Sequence, residues 1–241
     1  MTVWAEPDVE AKPARHTLAA WIYVGVGATI AAVVPWGLAL NSVPVSSSGI
    51  RASLFIAMGG MGQILSRRIG LDILPTGFRM PLLAIVVSGA CMAAYLVWID
   101  AFVFRSALAP VYVAFIHTES LPTRLLYHEL RSFNEGIVFQ LFFGSMLTWF
   151  IGLGLRNDDR IAPSAYWIGL ALGHFLNVCF NVFAIPGHPM TPQALAYDTF
   201  RYAAPGALWV YLYRRHGLTS ALAANATTHL FLQPLLGILV T

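Results

Sequence analysis

SFNEGIVFQLFFGSMLTWFIGLGL, residues 132–155, carries a single ionisable side chain, Glu135, in an otherwise apolar run. Crossing the hydrocarbon core as a helix takes about 20 mostly apolar residues, so this stretch predicts a membrane span. A carboxylate within such a span is costly unless it faces a bundle interior or a water-filled cavity. The same pattern continues on both sides. Thr17–Leu40, Met80–Phe104, Ile161–Ile185 and Leu218–Val240 are further expected spans, with two weaker ones at Ile50–Leu65, short and glycine-rich, and Thr199–Tyr213, broken by Pro205 and Gly206. The expected fold is an all-α polytopic transmembrane bundle of about seven spans, with a range of about six to eight.

Composition requires the same answer. Hydrophobic residues make up 58% of the chain and charged residues 10%, against about 45–50% and about 25% in soluble domains. So little charge cannot cover a water-facing surface. The formal net charge of +3 comes with no basic run interleaved with aromatics, which excludes a nucleic-acid groove. Cys91 and Cys179 lie in apolar stretches without zinc-type spacing, so neither a disulfide framework nor a metal site is expected from them.

Residues 1–16 form a polar tail without the basic-then-apolar order of a cleaved signal, so the first apolar segment is expected to be retained as an anchor. Residues 17–130 read as N-terminal helices with an interfacial segment, whose apolar part is Ala107–Ile116, and 131–241 as the core. SVPVSSSG (42–49), RNDDR (156–160) and PGHPMTPQ (186–193) read as loops. With the N-terminus inside, Lys12, Arg15, Arg67, Arg68, Arg79, Arg156, Arg160, Arg214 and Arg215 are cytoplasmic, and Arg51, Arg105, Arg124, Arg131 and Arg201 face the other side. The expected location is a bacterial cytoplasmic membrane. Trp4, Trp36, Trp98 and Trp209 are candidates for interfacial anchors or for packing.

Three spans carry polar stripes. Glu135 and Gln140 share one; His174, Asn177 and Asn181 are three and four residues apart on the next; Asn225, His229 and Gln233 are four and four apart on the last. The spacings of the second and third sets put each of those two along one helix face. Each stripe alone reads as packing glue; together they predict a shared polar cavity.

EGIVFQL (135–141), LALGH (170–174) and HLFLQ (229–233) together resemble the three motifs of the CAAX-protease and bacteriocin-processing (CPBP) family of glutamate-type intramembrane proteases. PGALWVYLYRRHGLTSALAANATTH (205–229) is similar to that family's approach to its last histidine. The resemblance covers residues 130–240 and implies an endopeptidase acting on a membrane-associated peptide or protein without a metal or other cofactor. It implies that Glu135 and His174 activate a water, while His229 and Gln233 bind the developing oxyanion. Arg131, Gln140, Asn177, Asn181 and Asn225 support them.

Two positions depart from the family pattern. Gly136 stands where its second glutamate would be and Gln140 where its arginine would be, so that both partners of an ion pair are missing together. Removing one alone would leave an uncompensated charge. A carboxylate without a charge partner in such a site resists ionisation, and Arg131, four residues before Glu135, is the available partner. Gln233 is one methylene longer than the family's asparagine. A catalytically inactive member that binds a partner in a membrane complex is therefore the alternative to a working peptidase. A metal or transport site of His174, His229 and Glu135 is a third reading, disfavoured by the lack of an HExxH pair.

Overall fold

The computed structural model describes residues 17–33, 48–74, 81–157, 160–183 and 188–240. The polar tail with Trp4, the end of the first expected span with Trp36, Arg79 and the Asn181 side chain lie outside the described residues. The helices are α1 (Thr17–Val33), α2 (Ser48–Arg68), α3 (Leu82–Val97), α4 (Pro110–Thr118), α5 (Leu121–Glu135), α6 (Ser145–Gly154), α7 (Pro163–Val178), α8 (Pro192–His216) and α9 (Leu218–Leu239). Three of them run on as wider π-helical turns: α3 into Trp98–Val103, α5 through Gly136–Gly144 into α6, and α7 into Cys179–Phe183. Between α6 and α7, Arg156–Asn157 and Arg160–Ile161 pair antiparallel, in the loop the sequence predicts.

The fold class is all-α, and among the described residues three helices are long and apolar enough to cross a membrane: Leu82–Val103, Leu121–Gly154 and Leu218–Leu239. Their outer faces present large apolar side chains, with Leu83 79%, Leu82 66%, Phe102 65% and Ile238 70% exposed. Exposed apolar surface of this kind marks a face that meets lipid or another protein. Leu121–Gly154 has 34 residues, about 50 Å at 1.5 Å per residue, which exceeds a hydrocarbon core of about 30 Å.

That length corrects the expected start at Ser132. Ser120 caps the helix, its hydroxyl accepting from the Thr123 backbone N–H at 3.3 Å, and Pro122 sits in the first turn, where a missing donor costs nothing. The expected boundary at 130/131 falls inside α5. Likewise Thr191 accepts from the Ala194 N–H at 3.2 Å, so α8 begins at Pro192 instead of Thr199. The expected interfacial helix Ala107–Ile116 starts instead at Pro110.

α9 is the central element, packed against α3, α5 and α8. Close approach depends on small residues, as in membrane bundles generally. A methyl on Gly89 of α3 would come within 2.6 Å of Thr227 and 3.0 Å of the Ala224 carbonyl of α9. On α7, one on Gly173 would meet the Phe139 carbonyl at 2.6 Å and Gly144 at 2.8 Å. Gly217 (φ 86°) turns the chain from α8 into α9. The first free N–H groups of α9 are then satisfied by Asp72 and Ile73, whose carbonyls accept from Leu218 at 3.0 Å and Thr219 at 2.9 Å.

Arg124, Arg131 and Arg201 are not loop charges. Arg124 is 6% exposed, and the side chains of Arg131 and Arg201 are 22% and 14% exposed, all facing the bundle interior. Arg131 pairs there with Glu135, and Arg201 with Asp100 and the rings of Tyr112 and Tyr197. Trp209 is buried, whereas Trp98 is exposed at the end of its apolar helix. Cys91 and Cys179 are both free.

Candidate functional site

A cavity of about 130 Å³ lies between α5 with its π extension, α7, α8 and α9. Glu135, Gln140, His174, Asn177, Asn225, His229 and Arg131 all line it. Residues from three separate expected spans are therefore brought together. Gln233 is not among the lining residues. It is fully buried one turn beyond His229, beside Tyr112 of α4.

Glu135 is doubly engaged. Arg131 Nε donates to Oε1 at 2.5 Å, one turn earlier on the same helix, and Asn177 Nδ2 donates to Oε2 at 3.2 Å from α7. The charge partner expected from the sequence is thus present. Gly136 faces α9 so closely that a methyl there would come within 2.5 Å of a Leu222 methyl. A glutamate at this position would need Leu222 to move. Glycine at this position is therefore a packing feature.

His174 is seated against Pro205 and Gly206 of α8, which runs as one helix from Pro192 to His216. Pro205 has no N–H to give the Arg201 carbonyl one turn earlier, and the Tyr202 carbonyl accepts from His174 Nε2 at 3.0 Å. A carbonyl can only accept, so Nε2 carries the proton and Nδ1 holds the lone pair of the neutral ring. Gly206 completes the seat, since a methyl there would collide with the His174 ring. Pro205 and Gly206, read from sequence as a weak point of a span, form the wall against which the imidazole is held.

His229 stacks on a residue that sequence reasoning missed. The rings of His128 and His229 lie 4.3 Å apart at 11°. His128 belongs to a buried stripe on α5, Arg124, His128 and Ser132 at intervals of four, which reading 106–130 as an interfacial segment concealed. The Ser120 cap and Pro122 were the signals that a helix begins before this stripe.

A second missed cluster adjoins the cavity. Asp100, fully buried in the π-helical end of α3, accepts from Arg201 at Oδ2 and from the Tyr197 hydroxyl at Oδ1, at 3.2 Å for the latter. Arg201 Nη1 also donates to the Tyr197 hydroxyl at 2.8 Å, and its guanidinium carbon lies 4.9 Å above the Tyr112 ring. Arg201 lines the cavity beside Tyr202. Asp100 was visible as a charge inside an apolar span, a signal of function in its own right.

Chemically, the cavity offers one charge-paired carboxylate, two imidazoles, amides and a cation anchored from α8, with Leu96, Trp209 and Leu232 forming an apolar side. No group of three or more His, Cys, Asp or Glu side chains suited to a metal ion occurs among the described residues. Comparison with family models, characterised proteins and solved structures gives no match.

Proposed function

We propose that this chain is a CPBP-like intramembrane endopeptidase that hydrolyses a peptide bond of a membrane-associated substrate. One observation carries the reading: Glu135, His174 and His229, predicted from three separate motifs, line a single cavity. In this reading a water in the cavity adds to the scissile carbonyl. A C–O bond forms, the carbonyl π pair moves onto oxygen, and Glu135 takes the proton. The tetrahedral intermediate then breaks its C–N bond and the proton passes to the leaving amine. General-base assistance of this kind contributes about 10²–10⁴-fold. His174, fixed by the Tyr202 carbonyl, positions the water, and His229 faces the developing charge. Asn177 and Arg131 keep the carboxylate aimed through their hydrogen bonds to its two oxygens.

The same reading places the chain in a bacterial cytoplasmic membrane with about seven spans and its N-terminus in the cytoplasm, where α1, α2, α7 and α8 cross alongside the three long apolar helices. The experiment is cleavage of a peptide library by the full chain in nanodiscs, compared with Glu135→Ala and His174→Ala. Cleavage by the native chain with a loss of about 10²-fold or more in both variants supports the peptidase, and cleavage that survives in both overturns it.

The placement of Gln233 outside the cavity and the packing of Leu222 at Gly136 favour a second reading, a non-catalytic member that binds a partner in a membrane complex. A stable co-purifying partner retained by both variants, with no cleavage by the native chain, supports that alternative.

A further inference from the structure

We propose that Arg201 is the oxyanion-binding residue of this cavity, taking the role that the third-motif position Gln233 does not fill. The inference rests on the peptidase reading above. Hydrolysis of a peptide bond concentrates negative charge on the carbonyl oxygen, and donors fixed beforehand in a water-poor site are the strongest stabilisers of such charge. Gln233 fails the first requirement, because it does not line the cavity.

Arg201 meets the requirements in turn. It lines the same cavity as Glu135, His174 and His229. It is fixed before any substrate arrives, by Asp100 on α3, by the Tyr197 hydroxyl one turn earlier on α8, and by the Tyr112 face. Both anchoring hydrogen bonds leave from Nη1, whereas a guanidinium has five donors on three nitrogens, so the anchors do not use up the fork. It directly precedes Tyr202, whose carbonyl orients His174, so the water-positioning ring and the cation hang from adjacent residues of one turn.

The position also accounts for Asp100. A buried arginine at a reaction centre needs a counter-charge to remain in place before the substrate charge develops. Asp100, which is not among the cavity-lining residues, supplies it. In the reaction, the π pair of the attacked carbonyl moves onto oxygen, Arg201 donates hydrogen bonds to that oxygen without losing a proton, and the pair returns as the C–N bond breaks.

The test uses dimethylphosphinate, a small tetrahedral anion, as the probe and N-methylacetamide as its neutral counterpart, titrated into the full-length protein in detergent and followed by ligand NMR line broadening. The native chain is expected to bind the phosphinate in preference to the amide. Arg201→Gln is expected to lose that preference by about tenfold or more, the effect of one charge-assisted hydrogen bond. Arg201→Lys keeps part of it, and Gln233→Ala leaves it unchanged. Circular dichroism and the behaviour of Arg201→Lys separate loss of the site from loss of the fold. Equal binding by native and Arg201→Gln, loss in Gln233→Ala instead, or no preference in the native chain each overturns the proposal. Because the readout is binding, it is independent of the cleavage assay. Cleavage that depends on Glu135 together with phosphinate binding indifferent to Arg201 overturns this inference alone. Absence of Glu135-dependent cleavage refutes the peptidase reading whatever the phosphinate does.

Discussion

Replacing Gly206 by alanine places a methyl group inside the space now held by the His174 imidazole. The ring cannot yield without giving up its 3.0 Å hydrogen bond to the Tyr202 carbonyl. Three effects contribute. Overpacking a tight interior costs about 1–3 kcal/mol. The lost hydrogen bond costs a further ~1 kcal/mol. Glycine to alanine in a helix interior gains about 1 kcal/mol. The net expectation is destabilisation by about 1–3 kcal/mol, dominated by the clash. The clash has one identified partner, so the double variant Gly206→Ala with His174→Ala is the sharper measurement. Removing the ring makes room for the methyl, and the pair should be less unstable than the two single variants predict, by about 1–2 kcal/mol of coupling. Reversible unfolding in mixed detergent micelles, followed by circular dichroism, measures all four corners of the cycle. Strict additivity refutes the claim that Pro205 and Gly206 form the seat of His174.

Further expectations follow from the charge pairs and the helix contacts. Asp100→Asn leaves the Arg201 guanidinium without its counter-charge in a buried site and should cost about 3–5 kcal/mol, by the same unfolding measurement. Asp100→Asn with Arg201→Met should recover most of that loss, and failure to recover would mean that the pair is not the source. Arg131→Met should destabilise the fold more than Arg131→Met combined with Glu135→Leu, since the first strands a carboxylate and the second removes both charges. Gly136→Glu should be poorly tolerated because Leu222 occupies the space a side chain there would need. Yield of folded protein should improve when Leu222→Ala is added, and equal yields of the single and double variants would show that Leu222 is not the obstacle.

Much of the site could be read before the fold was known because polar groups are expensive in an apolar run. Glu135, His174, Asn177, Asn225 and His229 stand out against their neighbours, and their three- and four-residue spacing already assigns each stripe to one helix face. Arg131 could be paired with Glu135 by the same spacing, and the 2.5 Å ion pair has that geometry. Membrane character was legible for a related reason, since 10% charge cannot cover a water-facing surface. The start of α5 was not read correctly. The mixed polarity of 106–130 suggested an interfacial segment, although Ser120 and Pro122 carry the local signals of a helix start. With that start went His128 and the buried face of Arg124.

The sequence by itself determined that these residues had to leave the lipid and which of them shared a helix face, because solvation cost and helical periodicity are local properties. Which faces meet was decided by tertiary structure. Arg201 reads as a loop cation until Asp100, a hundred residues away, is seen to hold it inside the bundle. Gln233 reads as part of the site until α9 is seen to turn it away from the cavity. Pro205 and Gly206 read as a break in a span until α8 is seen to run through them and His174 from another helix to rest against Gly206. Contacts of this kind depend on the rotation and approach of whole helices, which small residues such as Gly89 and Gly173 permit. That information belongs to pairs of helices, and no single helix carries it.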